Sequence, residues 1–335
     1  MSLHLSTSIL MPMKNTKDTP SPSAQHAVVG RFAPTPSGRM HLGNVYAALV
    51  AWLSVRSQGG RMVLRVEDLD TRAHTDQWGP MLLDDLAWLG LDWDEGPVYQ
   101  RDRMELYRAA VERLRSAGLT YPCFCTRSEL HAASAPHASD GTPIYPGTCR
   151  SLTPEQVAQR MSERNPAIRL RVPAADDPAG TVRFTDRVYG PQCDVLARTC
   201  GDFLVERSDG VFAYQLAVVV DDAAMGVTEV VRGCDLLGST ARQIYLQRLL
   251  DLPHPAYAHV PLLLSADGRR LSKRDRDLDM EGLRERFGSA ERLLGWLAGS
   301  TGLAPDTVPR SARELADCFS WDTVRAHRDN MRLQL

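Results

Sequence analysis

The apolar positions along the first hundred residues change period in a way that predicts alternating strand and helix. Residues 27–32 form a short apolar run that predicts a buried strand. It leads into Ala33-Pro34-Thr35-Pro36-Ser37-Gly38, where two prolines exclude helix and the glycine permits a tight turn. Leu42, Val45, Tyr46, Leu49, Val50 and Leu53 then fall at helical spacing, and Gly59-Gly60 closes that helix before a strand at 61–66. Helical patterns return at 77–89 and 103–116. This order predicts a doubly wound α/β layer whose ligands sit at the carboxyl ends of the strands.

The pattern breaks at 121–150, which holds three cysteines and a stretch rich in small residues and histidine. Alternation near 168–172, 181–184 and 201–205 predicts short strands, 214–224 a helix, 228–232 a return to the sheet, 240–250 a helix and 259–264 a strand. From residue 283 the pattern is helical. The expected organisation is a disordered leader at 1–26, a catalytic layer in two halves (27–120 and 201–277), an inserted subdomain at 121–200, and a helical segment at 278–335. The leader is rich in Ser, Thr, Pro and Met and lacks the apolar run of a secretory signal.

Composition adds bounds. With 335 residues, 43% hydrophobic and 24% charged, the chain is a globular protein of about two domains. A net charge of −2 argues against a protein that coats nucleic acid, although a local basic face could hold RNA. No apolar stretch approaches the roughly 20 residues of a membrane helix. Seven cysteines, an odd number, fit reduced thiols in a cytoplasm better than a disulfide framework.

Two segments carry chemistry. From Gly30 to Asn44 a strand end, a turn and a helix start lie together; the helix N-terminus offers unpaired N–H groups to phosphate, His41 can hydrogen-bond phosphate oxygens, and Gly43 permits close approach. Much later, residues 269–276 place five cations in eight residues. Taken singly, a His-x-Gly tripeptide is common and a basic run is ordinarily a solvated loop. Taken together, His41-Leu42-Gly43-Asn44 and Arg270-Leu271-Ser272-Lys273-Arg274 resemble the His-Ile-Gly-His-like and Lys-Met-Ser-Lys-Ser-like signatures of the glutamyl-tRNA synthetase group of class I aminoacyl-tRNA synthetases. Asn44 departs from the second histidine, and Arg270 and Arg274 from the outer positions of the second motif, yet hydrogen bonding and positive charge are retained. The match extends through 65–70, 89–94, 221–228 and 231–233.

The resemblance implies a class I catalytic domain of the doubly wound parallel-sheet (Rossmann) type, with an inserted zinc-binding, acceptor-like subdomain and a short helical C-terminal segment. It implies ATP and magnesium, with His41, Gly43, Asn44, Ser272 and Lys273 on the nucleotide and His41 and Lys273 catalytic. Glutamate selection needs cations for carboxylate and an anion for the α-ammonium. The family's amino-acid pocket maps onto Arg31, Phe32, Ala33, Pro34, Thr35, Ser37, Glu67, Tyr214 and Arg232. Cys123, Cys125 and Cys149, with Tyr145, offer three soft ligands and a phenol; from spacing alone buried thiols, or His131 or His137 as a fourth ligand, stay open. The small glutamyl-queuosine tRNA(Asp) synthetases are similar in this pattern, which implies Tyr145 as fourth ligand and one zinc per chain. Only 60 residues follow position 275, too few for the anticodon-binding region of a complete glutamyl-tRNA synthetase, so the truncated paralogues are the nearest resemblance. The expected substrates are glutamate and queuosine-containing tRNA(Asp), handled by a cytoplasmic monomer. A minimal synthetase charging a tRNA 3′ end, or a non-catalytic RNA- or metal-binding remnant, are the alternatives; the pair His41 and Lys273 counts against the remnant.

Overall fold

The computed structural model describes residues 28–70, 75–132, 144–265, 268–269, 271 and 278–333. The expected leader at 1–26 lies outside them. The chain opens with β1 (Val29–Phe32), α1 (Leu42–Ser57), β2 (Arg61–Val66), α2 (Thr75–Trp88), β3 (Glu95–Tyr99) and α3 (Met104–Ser116). It continues through β4 (Thr120–Cys123), α4 (Arg127–Ala132), α5 (Pro154–Glu163), β5 (Ala167–Leu170), β6 (Thr181–Asp186), β7 (Gly190–Val195), α6 (Leu196–Thr199) and β8 (Phe203–Glu206). The rest comprises α7 (Tyr214–Ala224), β9 (Glu229–Gly233), α8 (Thr240–Leu249), β10 (Ala256–Val260), β11 (Leu263–Leu264), α9 (Met280–Phe287), α10 (Ala290–Ser300), α11 (Ala312–Asp317), α12 (Trp321–Ala326) and β12 (Met331–Arg332).

Strands β1, β2 and β3 pair in parallel, and β9, β10 and β6 pair in parallel in a second sheet. The two meet where β9 lies beside β1: Thr228 N donates to Val29 O at 2.9 Å and Val29 N to Thr228 Oγ1 at 2.9 Å. Alternate residues of these strands enter opposite cores. Met62, Leu64, Val231, Ala258 and Val260 pack with α1, α2 and the C-terminal helices, while Val29, Val63, Val230 and Tyr257 pack with α3, α7 and α8. Helices therefore cover both faces, as the doubly wound pattern requires. Helix α1 sits so close on β1 that a Cβ on Gly30 would come within 2.3 Å of Val55 Cγ2.

The sheet is mixed rather than wholly parallel, which corrects the expectation. Strand β7 returns antiparallel along β6 at the outer edge. The cause is local: Asp186 Oδ1 accepts from Val188 N (2.9 Å) and Tyr189 N (3.0 Å), closing a tight turn that allows only an antiparallel partner. Residues 121–200 thus contribute to two sheets, since β4, β5 and β8 form a separate antiparallel sheet. Among the described residues, no helix is long and apolar enough to cross a membrane.

Candidate functional site

A cavity of about 780 Å³ opens at the carboxyl ends of β1, β2, β9 and β10. Its wall brings together Arg31, Phe32, Ala33, Pro34, Thr35, Ser37, His41, Gly43, Asn44, Glu67, Tyr214 and Arg232. Leu271 of the second signature also lines it, whereas Ser272 and Lys273 lie outside the described residues. The volume falls in the usual range for small-molecule sites.

The nucleotide side of the cavity is organised by the N-terminus of α1. His41 caps this helix: its Nδ1 accepts from Asn44 N at 3.4 Å, while Asn44 Oδ1 accepts from His41 N at 3.2 Å. Asn44 is thus half of a reciprocal capping box, a role open to its side-chain oxygen. A Cβ on Gly43 would sit 3.1 Å from His41 Cε1, so this glycine makes room for the histidine ring. The segment leaving the second signature returns here, with Met280 N donating to Met40 O at 2.9 Å and Asp279 bridging to His41.

The other side of the cavity rests on a network of buried charges, in which Arg31, Glu67 and Arg232 are residues the sequence reading named and Arg65, Asp221, Asp222 and His259 are ones it did not. Arg31, Arg65, Arg232 and His259 occupy strand positions whose side chains face α7 and α8, away from α1. Fully buried Arg65 reaches Asp222 Oδ1 (2.7 Å), Glu67 Oε1 (3.1 Å) and Asp221 Oδ2 (3.6 Å). Burial alone would lower its pKa, but Asp222, Glu67 and Asp221 raise it. Arg31 donates from Nη1 to Val231 O at 2.9 Å; burial, opposed by Asp222, lowers its pKa, and its Nε has no hydrogen-bond partner among the described residues. Burial raises the pKa of Glu67, against the pull of Arg65 and Arg31. Tyr214, at the start of α7, keeps 39% of its surface open, while desolvation of its hydroxyl raises the phenol pKa. The signal for this network was legible in outline: an apolar helix carrying adjacent acids, Asp221 and Asp222, must supply them with cations if it is buried.

Arg232 is held from behind. Its Nε donates to His259 Nε2 at 3.0 Å and its Nη2 to Thr240 Oγ1 at 2.9 Å, while His259 Nδ1 meets Asp186 Oδ2 at 2.6 Å. Burial lowers the His259 pKa; Asp186, despite its own burial, is held low by the His259 hydrogen bond.

A separate cluster lies at the end of β4. The Sγ atoms of Cys123, Cys125 and Cys149 lie within 4.8 Å of one another, with Cys125 and Cys149 3.6 Å apart. Tyr145 Oη stands 3.5 Å from Cys123 Sγ and 3.7 Å from Cys125 Sγ. Tetrahedral zinc with Zn–S bonds of about 2.3 Å separates its sulfurs by about 3.8 Å, so the donor set fits such an ion. Arg169 Nε donates to Cys123 Sγ at 3.2 Å and Phe124 N to Cys149 Sγ at 3.4 Å, contacts that favour thiolates. Burial and the neighbouring thiols push Cys125 up to about 11, and burial raises the Tyr145 phenol as well. The side chain of His131, and His137 as a whole, lie outside the described residues.

Residues 27–288 match the family of class I tRNA synthetases (E and Q), catalytic domain. The chain is 47% identical over 306 residues to a glutamyl-Q tRNA(Asp) synthetase of Nitratidesulfovibrio vulgaris, covering 88% of this chain and 93% of the relative. It is 48% identical over 316 residues to a protein of the same name from Symbiobacterium thermophilum, covering 91% and 95%. Among solved structures it resembles a glutamate tRNA ligase from Elizabethkingia meningosepticum in complex with its amino acid, with a TM-score of 0.77 and 27% identity, covering 92% of this chain and 67% of that one. A catalytic-domain match over most of the chain, together with near-full-length relatives at this identity, places the protein in the class I tRNA synthetase (E and Q) family, among the glutamyl-Q tRNA(Asp) synthetases.

Proposed function

We propose that the protein activates glutamate with ATP and magnesium, without tRNA, and transfers the glutamyl group to queuosine in the anticodon loop of tRNA(Asp). The observation that carries this reading is the single cavity lined both by the capped N-terminus of α1 and by Arg31, Glu67, Tyr214 and Arg232. The names and near-full coverage of the relatives support the acceptor.

In the first step an oxygen of the glutamate α-carboxylate attacks the α-phosphorus of ATP in line. A new carboxyl–phosphate bond forms, the bond to the β-phosphate oxygen breaks, and pyrophosphate leaves; magnesium, when bound with ATP, would offset the charge of the phosphates. The protein's part is positioning and charge stabilisation. Arg31 and Arg232 supply cations for substrate carboxylates, Glu67 an anion for the α-ammonium, and Tyr214 a hydroxyl at the rim. His41 meets phosphate oxygens, and Lys273, with Ser272, meets the departing pyrophosphate. In the second step a hydroxyl of the queuosine cyclopentene diol attacks the mixed-anhydride carbonyl, forming an ester and releasing AMP, whose phosphate can take up the hydroxyl proton. A base extruded from the anticodon loop can reach such a site.

Cys123, Cys125, Tyr145 and Cys149 are proposed to hold one structural zinc that staples the region around β4. The chain is proposed to act as a cytoplasmic monomer. Activation is tested by glutamate-dependent exchange of pyrophosphate into ATP in the absence of tRNA. Robust exchange is expected, and its absence in folded, metal-replete protein would refute tRNA-independent activation.

A further inference from the structure

Asp186, His259 and Arg232 lie in a row across three adjacent parallel strands. Arg232 and His259 are register partners on β9 and β10, so their side chains share a face, and β6 brings Asp186 beside β10. All three are buried.

The partners assign every proton in the row. Arg232 Nε can only donate, so His259 Nε2, 3.0 Å away, must accept. The ring is therefore neutral with its proton on Nδ1, which donates to Asp186 Oδ2. Thr240 anchors the other side of the guanidinium through Nη2, Leu236 O accepts from the same nitrogen at 3.4 Å, and the Tyr257 ring lies 5.5 Å beneath Cζ. Nη1 is left with no partner among the described residues, on a side chain that lines the cavity.

We propose that Asp186 and His259 are positioning residues that fix the plane of the Arg232 guanidinium, present its Nη1 to a carboxylate of glutamate, and so set the affinity for that substrate. The inference rests on Arg232 being a glutamate ligand. It follows from the cost of the alternative: an arginine free to rotate would lose rotamer entropy on each binding event, whereas one held at Nε and Nη2 is already ordered.

Asp186→Asn tests the idea because of where the carboxylate's other oxygen is committed. Oδ1 accepts from three backbone N–H groups, those of Val188, Tyr189 and His259, at 2.9, 3.0 and 3.3 Å. An asparagine must leave its oxygen there and turn its NH₂ toward His259 Nδ1. That nitrogen then becomes the acceptor, the ring proton moves to Nε2, and Nε2–H is set against Arg232 Nε–H. The shape is kept and the tautomer is wrong. His259→Gln, by contrast, can still offer an oxygen to Arg232 whatever stands at 186.

The experiment is glutamate-dependent pyrophosphate exchange with Arg232→Ala, Asp186→Asn, His259→Gln and the Asp186→Asn/His259→Gln double variant. Asp186→Asn is expected to raise KM for glutamate about 10- to 100-fold, the range for losing one charged hydrogen bond, with KM for ATP within about twofold. In the His259→Gln background the same change is expected to raise KM for glutamate by less than about threefold, a dependence that a purely structural role of Asp186 would not produce. Equal effects of Asp186→Asn in both backgrounds, a parallel rise in KM for ATP, or no rise at all would overturn the proposal. If Arg232→Ala leaves KM for glutamate unchanged, the reading of the pocket fails and this inference with it; a large Arg232→Ala effect beside a silent Asp186→Asn overturns the inference alone. Should Asp186→Asn not fold, the isosteric Thr240→Val variant carries the test, with KM for glutamate expected to rise about 3- to 10-fold and an unchanged value overturning the proposal.

Discussion

Replacing Arg65 by Met probes the electrostatic floor of the cavity most sharply. Arg65 is completely buried and touches Asp222 at 2.7 Å, Glu67 at 3.1 Å and Asp221 at 3.6 Å. At an effective dielectric constant of about 20 each contact is worth roughly 5 kcal/mol of direct attraction, most of which desolvation cancels. The net loss when one partner of a buried network is removed is about 3–5 kcal/mol. Asp221 keeps Arg103 Nε at 2.6 Å, Gln100 Nε2 at 2.8 Å and Tyr107 Oη at 2.8 Å, so the penalty falls on Asp222 and Glu67. The Glu67 carboxyl, already raised by burial, loses in Arg65 its main opposing cation, so its pKa should rise further above that in the unfolded chain. The folded variant then binds protons that the unfolded chain does not, and its stability rises as pH falls. Urea unfolding of both proteins by circular dichroism is expected to show a deficit of about 3–5 kcal/mol near pH 8 that shrinks by more than about 1 kcal/mol near pH 5.5. A deficit below about 1 kcal/mol, or one flat across that range, would mean that Arg65 does not neutralise these acids.

Other outcomes follow from the same geometry. Lys273→Ala should lower kcat for pyrophosphate exchange by about two to three powers of ten with little change in KM; an unimpaired variant would remove Lys273 from the reaction. Since burial raises the Glu67 pKa and ammonium recognition needs the carboxylate, KM for glutamate should climb on the acid side at a higher pH than an ordinary carboxylate would give, and Glu67→Gln should flatten that limb while raising KM throughout. Elemental analysis of protein purified without chelator should find about one zinc per chain, and chelation should lower the melting temperature; metal-free protein of unchanged stability and activity would count against the cysteine site.

Local signals in the sequence translate closely into the fold. The apolar spacing that begins at Leu42 gives α1, Tyr214–Ala224 is helical over the span predicted, and 61–66 is a strand, because each segment commits to one period over its whole length. What the sequence conceals is non-local. The edge strand Glu95–Tyr99 is short, contains Gly96 and Pro97 and is nowhere fully buried, so it carries no alternation to detect. The pairing of β6 with β10, and of β1 with β9 some 200 positions away, has no local signature. The site shows the same division. The signature loop and the cysteines stand out by composition, whereas Arg65, Asp222, His259 and Asp186 read as ordinary charged residues until the fold places them against one another.

Transfer of glutamate to queuosine rather than to a terminal adenosine is open to direct measurement. Radiolabelled glutamate is supplied with ATP, magnesium and three forms of tRNA(Asp): queuosine-containing, queuosine-lacking, and queuosine-containing but trimmed of its 3′-terminal nucleotides. Label is predicted in the first and third and absent from the second. Label that requires the intact 3′ end and ignores queuosine would contradict the account and make this chain a glutamyl-tRNA synthetase of minimal size.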